Sequence, residues 1–149
     1  MMDTQYVIFR LGEELYGAAI HDVQEIILPQ QPTRVPNNPD FIEGIIDYRD
    51  KVIPVLDLKK RFNLGNAHYE GQARFIVADV NGSNIAFAVD EVREILRTEE
   101  ENIDDAPDIT RINKEYITGA THLNDKLIIL LELSKVLSVD EQDLLGSIE

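Results

Sequence analysis

The chain contains two copies of one pattern, and this internal repeat is the strongest constraint on its fold. When the sequence is offset by 75 residues, 41–62 lies on 116–137 with 8 of 22 positions identical. A second offset, of 69 residues, places 7–27 on 76–96. The segments follow the same order in both halves, so the repeat predicts two similar structural units within one fold.

Short apolar runs separated by turn residues indicate that each copy is built from β-strands. The runs 6–9 and 75–78 are rich in β-branched and aromatic residues, and Asn81-Gly82 after the second run is a strong hairpin signal. Pro54 lies in a later run, where its missing N–H favours an edge strand or a bulge. Strands of this length and spacing predict two small β-barrels side by side, with a groove between them that can bind a partner.

Helices are expected to be few and short. The stretch 38–46 begins with Asn38-Pro39 and then an acidic residue, a pattern that favours a helix N-terminus. A single helical turn is expected over 57–62. The tail 132–149 has apolar residues that can share a helix face, so part of it is expected to form a C-terminal helix that packs on the body.

Composition excludes several classes of protein. The formal net charge of -14 disfavours nucleic acid and anionic membrane surfaces as partners, because both repel an acidic chain. The chain has no cysteine, which removes disulfides, thiolate zinc sites and thiol nucleophiles and fits a cytoplasmic location. Neither a signal peptide nor a bilayer-length apolar run is present, so direct membrane insertion is not expected.

No motif in the sequence points to catalysis. The three histidines are scattered without the spacing of a zinc site, and no nucleophile or phosphate-binding motif occurs. The acidic run 99–108 is best explained as a solvated loop. We therefore expect no catalytic residue, no metal and no cofactor. The alternative of a small barrel that binds RNA or a small molecule would need a basic, aromatic-rich face, which this composition does not supply.

The two copies differ at one turn position that carries chemistry. Arg49 in the first copy corresponds to Asn124 in the second. Arginine offers five fixed N–H donors that bind carboxylates in a fork. One interpretation is a local ion pair with Asp47 or Asp50, which contributes little at a surface. The other is a partner contact that only the first copy makes.

A long motif surrounds Arg49. In this chain it reads V-x-E-I, then P-T-x-V-P, then F-x-x-G-x-I-D-Y-R-D-x-V-x-P-V-x-D-L. The matching residues are Val23, Glu25, Ile26, Pro32, Thr33, Val35, Pro36, Phe41, Gly44, Ile46, Arg49, Val52, Pro54, Val55, Asp57 and Leu58. On these residues the chain resembles CheW, the family of bacterial chemotaxis coupling proteins, from about residue 6 to residue 137. The family's N-L-R-G is replaced by Asp47-Tyr48-Arg49-Asp50, and the loss of that glycine puts the turn geometry in question.

The resemblance implies a single CheW-like domain over 1–149. Its fold would be mainly β, an internally duplicated pair of five-stranded SH3-like β-barrels around a shared core, with short helices and a C-terminal helix. Subdomain 1 is placed at about 10–70, with exchange of the N-terminal strand as an option, and subdomain 2 at 71–149. The implied function is a non-enzymatic adaptor that couples methyl-accepting chemoreceptors to the histidine kinase CheA.

The same resemblance implies where partners bind. The cytoplasmic tip of a receptor would dock near the groove between the barrels, at Ile20, Val23, Glu25, Arg49, Val89 and Val92. For Ile20 and Val89 a place in the core between the barrels is an equal alternative. Glu94 and Asn124, the copy-two counterparts of Glu25 and Arg49, are the candidates for contact with the CheA regulatory domain.

The resemblance also sets expectations for location and assembly. The protein is expected to be cytoplasmic, to be recruited to membrane receptor arrays through its partners, and to be a monomer in isolation. A CheW-like chain in a type IV pilus pathway or another kinase pathway would look the same in sequence, so that alternative stays open.

Overall fold

A computed structural model of the chain describes residues 3–105, 114–138 and 141–142. Ten β-strands make up most of the described part. They are β1 (Asp3–Leu11), β2 (Glu14–Ala19), β3 (Val23–Ile27), β4 (Ile42–Tyr48), β5 (Lys51–Asp57), β6 (Arg74–Val80), β7 (Ser83–Val89), β8 (Glu91–Glu99), β9 (Ile117–Leu123) and β10 (Lys126–Leu131). The prediction of a mainly β fold is confirmed.

The helical elements are short. The single helical turn expected over 57–62 is confirmed as α1 (Leu58–Arg61), which begins where Asp57 Oδ1 accepts hydrogen bonds from the backbone N–H groups of Lys59 and Lys60. Four 3₁₀ turns are also present in the described residues. They are Ile20–Asp22, Glu100–Asn102, Lys114–Tyr116 and Leu133–Lys135.

One helix prediction was wrong and one is largely outside the described residues. The stretch 38–46 does not form a helix, because β4 begins at Ile42 and its residues alternate between buried and less buried positions, the period of a strand. In the tail, residues 141–142 are helical. Residues 139–140 and 143–149 of the predicted tail lie outside the described part.

The strands form two five-stranded sheets, and the repeat relates one sheet to the other. Sheet one has the order β8-β1-β2-β10-β9, and sheet two has the order β3-β6-β7-β5-β4. Replacing every strand of sheet one by its repeat counterpart reproduces the order of sheet two. The registers agree as well, since the parallel pair Leu130 with Gly17 corresponds to the pair Val55 with Ala86. The duplication is therefore present in the three-dimensional structure.

Each sheet contains strands from both copies. Sheet one joins the hairpin β1–β2 to β8, β9 and β10 of the second copy, and sheet two has the converse composition. Sheet membership thus does not follow the boundary between 10–70 and 71–149, which stays a prediction about subdomains. The barrel is not confirmed either, because within the described residues the two end strands of each sheet are not paired with each other.

Alternation along the strands distributes apolar side chains between three cores. In β1, Phe9 and its neighbours two residues away point into a central core between the sheets, while Tyr6 and Ile8 point into a smaller core within sheet one. Sheet two has a similar small core around Phe75 and Val77. Strands such as β1 and β6 are therefore buried on both faces, which explains their continuous apolar runs.

Gly44, within the repeated segment 41–62, allows a close crossing of two chain segments. Thr33 and Ile45 form an isolated antiparallel bridge with two N–H···O bonds of 2.9 Å. Gly44, beside this bridge, has φ +146°, and a Cβ built there would lie 2.2 Å from the Thr33 carbonyl oxygen. Its counterpart Gly119 lies under a matching crossing, where a Cβ would be 2.8 Å from the Asp104 carbonyl oxygen. Close backbone approach thus requires glycine in both copies.

We predict that Gly44→Ala lowers the free energy of unfolding by more than about 3 kcal/mol, because the new methyl group would displace the crossing segment. The control is Gly12→Ala, where φ is +62° but no atom lies within 4 Å of the added Cβ. The control should cost about 1–2 kcal/mol, the cost of a left-handed backbone alone. Urea unfolding followed by circular dichroism compares the two variants, and equal losses would contradict the role of the crossing.

Candidate functional site

The turn between β4 and β5 holds the arginine that distinguishes the two copies. Arg49 and Asp50 are its two central residues, with φ of 48° and 64°. The corresponding Asn124 and Asp125 have φ of 50° and 67°, so both hairpins have the positive φ values of a type I′ turn. Asp50 in place of the family glycine therefore preserves the turn. Arg49 adopts a conformation that is uncommon for a non-glycine residue.

Arg49 pairs across the sheet with Glu25, not with its sequence neighbours. Its Nε lies 2.9 Å and its Nη2 2.7 Å from Oε1 of Glu25 on β3. The Tyr48 hydroxyl donates a third hydrogen bond, of 2.7 Å, to the same oxygen. The guanidinium also lies 5.6 Å from the centre of the Tyr48 ring. We call these three residues, Glu25, Tyr48 and Arg49, the Glu25 cluster.

The three members of the Glu25 cluster are exposed to different degrees. Tyr48 is only 6% exposed, because its ring belongs to the small core of sheet two. The side chains of Glu25 and Arg49 are 35% and 68% exposed. The hydrogen bond from Tyr48, followed by the contact with Arg49, lowers the pKa of Glu25 below its ordinary value. Burial of the ring, followed by the hydrogen bond to Glu25, raises the pKa of Tyr48.

A shallow depression adjoins the Glu25 cluster. Its volume is about 480 Å³, and its lining includes the chain that follows Glu25, from Ile26 to Gln30. Leu28 is 68% exposed and Ile26 is 40% exposed, so two large apolar side chains face solvent beside the cluster. An accessible arginine beside exposed aliphatic side chains is typical of a protein-binding surface.

Of the six predicted groove residues, Glu25 and Arg49 meet in the Glu25 cluster, whereas the other four join the central core. Ile20, Val23 and Val92 are half-buried and pack against the central core. Val89 is 1% exposed and lies inside that core, so the core alternative holds for it. The described lining of the depression includes none of these four aliphatic residues.

The second copy has no equivalent of the Glu25 cluster. Glu94 on β8 and Asn124 in the β9–β10 turn are both exposed, and the counterpart of Tyr48 is Leu123, which has no donor. Four of the exposed apolar positions are nevertheless duplicated, although Leu28 corresponds to Arg97. Ile26 and Ile95 form one matched pair, and Val52 and Leu127 form another. The two copies thus present related apolar surfaces that differ in their polar groups.

Sequence reasoning missed Tyr48, although its replacement of a family leucine was visible. It also missed Asp90, which is 2% exposed. The Asp90 carboxylate accepts a 2.7 Å hydrogen bond from the Gly12 N–H and lies 3.2 Å from the Lys59 ammonium and 3.4 Å from His68 Nε2. These contacts join four separate segments, so Asp90 has a structural role. The copy-one counterpart of Asp90 is His21, which is exposed. Only knowledge of which distant segments pack together could have shown the importance of Asp90.

The described residues offer no site for metal chemistry and no membrane span. Within 3–105, 114–138 and 141–142, no group of three or more histidine or acidic side chains could hold a metal ion. No helix in the same ranges is long and apolar enough to cross a membrane. The arrangement at the Glu25 cluster can bind groups that accept hydrogen bonds.

Comparisons with known proteins agree with the resemblance. The family model of the CheW-like domain matches residues 5–141. The chemotaxis protein CheW of Klebsiella aerogenes is 34% identical over 97% of this chain and 87% of its own length, and that of Treponema pallidum is 33% identical over 97% and 88%. The crystal structure of the scaffolding protein TtCheW from Thermoanaerobacter tengcongensis superposes with a TM-score of 0.86 at 38% identity, covering 95% of this chain and 92% of that one.

We predict that the Glu25 cluster stabilises the protein above acidic pH. Because the folded-state pKa of Glu25 lies below its ordinary value of 4.5, the stabilisation is fully present above that value. It is lost as the pH falls through the lower folded-state pKa. Urea unfolding of the wild type and Glu25→Gln should show a difference at pH 7 that shrinks below about pH 4.5.

The matched control for this prediction is Glu94→Gln. Glu94 occupies the corresponding place in copy two and forms no ion pair within the described part of the chain. Its substitution should give a smaller difference in unfolding free energy at pH 7. A Glu25→Gln difference that stays constant down to pH 3 would show that the carboxylate is not the stabilising group.

Proposed function

Because the chain belongs to the CheW-like domain family, we propose that it is a chemotaxis scaffold that couples methyl-accepting receptors to the histidine kinase CheA. The family and its structural neighbour are scaffolds and not enzymes. One observation supports the coupling role above the others. The Glu25 cluster gives one copy of a duplicated fold an exposed arginine beside exposed apolar side chains. A protein with one specialised and one plain surface is suited to hold two different partners.

The receptor is the partner assigned to the Glu25 cluster. A receptor tip is a helical hairpin, and a helix can place an apolar residue in the depression and an acceptor oxygen near Arg49. Val23 lies two residues before Glu25 on β3. Together with Val92, it would extend this surface toward the junction of the copies. The CheA regulatory domain is assigned to the copy-two side, with Glu94 and Asn124 as contacts.

Coupling requires no chemistry at this protein. Several weak contacts in one assembly raise the effective concentration of each partner for the next, so every contact can remain exchangeable. The scaffold transmits the state of the receptor by holding the kinase in a fixed orientation. Recruitment to membrane arrays follows from receptor binding, and the isolated chain is proposed to be a monomer.

Isothermal titration of the protein with the CheA regulatory domain of its own organism tests the coupling role. We expect saturable one-to-one binding, and separate binding of a receptor-tip fragment. Absence of heat from either titration at micromolar concentration, with all components folded, would move a pilus-type or other kinase pathway ahead of chemotaxis.

We predict that Arg49→Ala weakens receptor-tip binding by about tenfold, since a hydrogen bond to a charged group contributes about 1.5 kcal/mol. Asn124→Ala, the matched change in copy two, should alter tip binding less than twofold. Circular dichroism confirms that both variants fold. Equal losses for the two variants would contradict a specialised role of Arg49.

We predict that Val23→Asp and Val92→Asp abolish receptor-tip binding if these half-buried residues line the receptor surface. The physical reason is the desolvation of a carboxylate in an apolar contact. The measurement is tip affinity, with the unfolding midpoint recorded for each variant. Variants that lose their folded spectrum would assign both valines to the core instead, and folded variants with unchanged affinity would remove them from the surface.

A further inference from the structure

Tyr48 brings a buried, rigid donor to an otherwise exposed ion pair. Its ring is held in the small core of sheet two, while its hydroxyl reaches Glu25 Oε1 at 2.7 Å. The position is specific to this copy, because Leu123 occupies the corresponding place before the second hairpin turn. The hydroxyl is therefore an addition to the scaffold and not a requirement of the fold.

The ion pair alone would be poorly ordered. Exposed pairs between flexible side chains contribute little, because holding both side chains in one geometry costs entropy. Glu25 and Arg49 are 35% and 68% exposed, and Arg49 comes from a tight turn. The Tyr48 ring is packed in the core, so its side-chain conformational entropy is already lost. Its hydroxyl therefore holds Glu25 at little further entropic cost. Three donors then converge on one carboxylate oxygen.

We propose that Tyr48 is a positioning residue that sets the specificity of the receptor-binding surface. Its hydroxyl fixes Glu25, and Glu25 fixes Arg49 through the Nε and Nη2 edge of the guanidinium. The Nη1 group, which the described contacts of Arg49 leave outside the ion pair, is then presented in one orientation beside the depression. The matching feature on the partner is a carboxylate or carbonyl oxygen close to an exposed apolar side chain. This inference rests on the proposed receptor binding.

The first test is receptor-tip affinity of Tyr48→Phe, which removes only the hydroxyl. We expect binding to weaken by about threefold to tenfold, within the range for the net loss of one typical hydrogen bond, because the hydroxyl acts on the partner only through Glu25 and Arg49. Tyr69→Phe is the matched control, because Tyr69 is a half-buried tyrosine of the same sheet core, packed edge-on against Phe75. It should bind like the wild type. In a Glu25→Ala background, Tyr48→Phe should cause no further loss if the hydroxyl acts through Glu25.

The second test reads Glu25 directly, by NMR titration of its side-chain carboxyl carbon. The hydrogen bond from Tyr48 is the largest cause that lowers the pKa of Glu25, so Tyr48→Phe should raise that pKa toward 4.5. A merely structural tyrosine would leave it unchanged, as Tyr69→Phe should. The titration needs no partner and is informative even if the receptor assignment fails.

The outcomes separate the two claims. Weaker tip binding together with a raised Glu25 pKa supports the positioning role. Unchanged tip binding by Tyr48→Phe, with wild-type protein that binds, overturns it. An unchanged Glu25 pKa overturns it as well, whatever the affinity. If the wild type fails to bind any receptor tip while the pKa responds, the proposed receptor partner is overturned and the hold of Tyr48 on Glu25 stands.

Discussion

The central core between the two sheets is the constraint on which the rest of the structure depends. Its side chains come from both sheets, and each sheet is completed by strands of the other copy. Neither copy can therefore bury its apolar strands without the other. Strands such as β1, which face a core on both sides, tie the two sheets into one packed body. The surfaces of the two copies are consequently held at a fixed mutual orientation, which is the mechanical property that a scaffold needs.

Differences between the copies lie where the shared core tolerates them. Arg49 and Asn124 occupy exposed turn positions with the same backbone conformation, so the change alters chemistry without altering the hairpin. At the matched positions Asp90 and His21, the second copy carries the residue with more contacts. The buried Asp90 carboxylate contacts the Lys59 ammonium and accepts a hydrogen bond from the Gly12 N–H. Hairpin turns and strand junctions thus carry the divergence, while the registers between strands are preserved.

The repeat, the strand content and the turn of helix at α1 could be predicted from local pattern, because each depends on residues close in sequence. The exchange of strands could not be derived from local pattern, since two similar copies give no signal of which hairpin completes which sheet, and the resemblance offered exchange of the N-terminal strand only as an option. At 38–46 the helix-start signal of Asn38-Pro39 was outweighed by tertiary pairing of β4 with β5. Of the candidate site, Glu25 and Arg49 were found through the motif. Val89 was ambiguous because alternation separates the two faces of a strand but does not say whether one face or both are buried.

The difference between Arg49 in the first copy and Asn124 in the second has a physical explanation in binding specificity. A scaffold with two identical surfaces would let either partner occupy both, and selectivity depends on a difference between affinities. Both copies retain exposed aliphatic residues, as at Ile26 and Ile95, which supply a general attraction for apolar side chains. In the proposed function, the guanidinium of Arg49 adds a requirement for an acceptor on one side only. A partner that buries this guanidinium without a hydrogen-bond acceptor loses binding free energy. Burial of the uncharged Asn124 carries no comparable requirement for an anionic group. Under the proposed function, an arginine in a single copy thus converts a symmetric fold into an asymmetric connector.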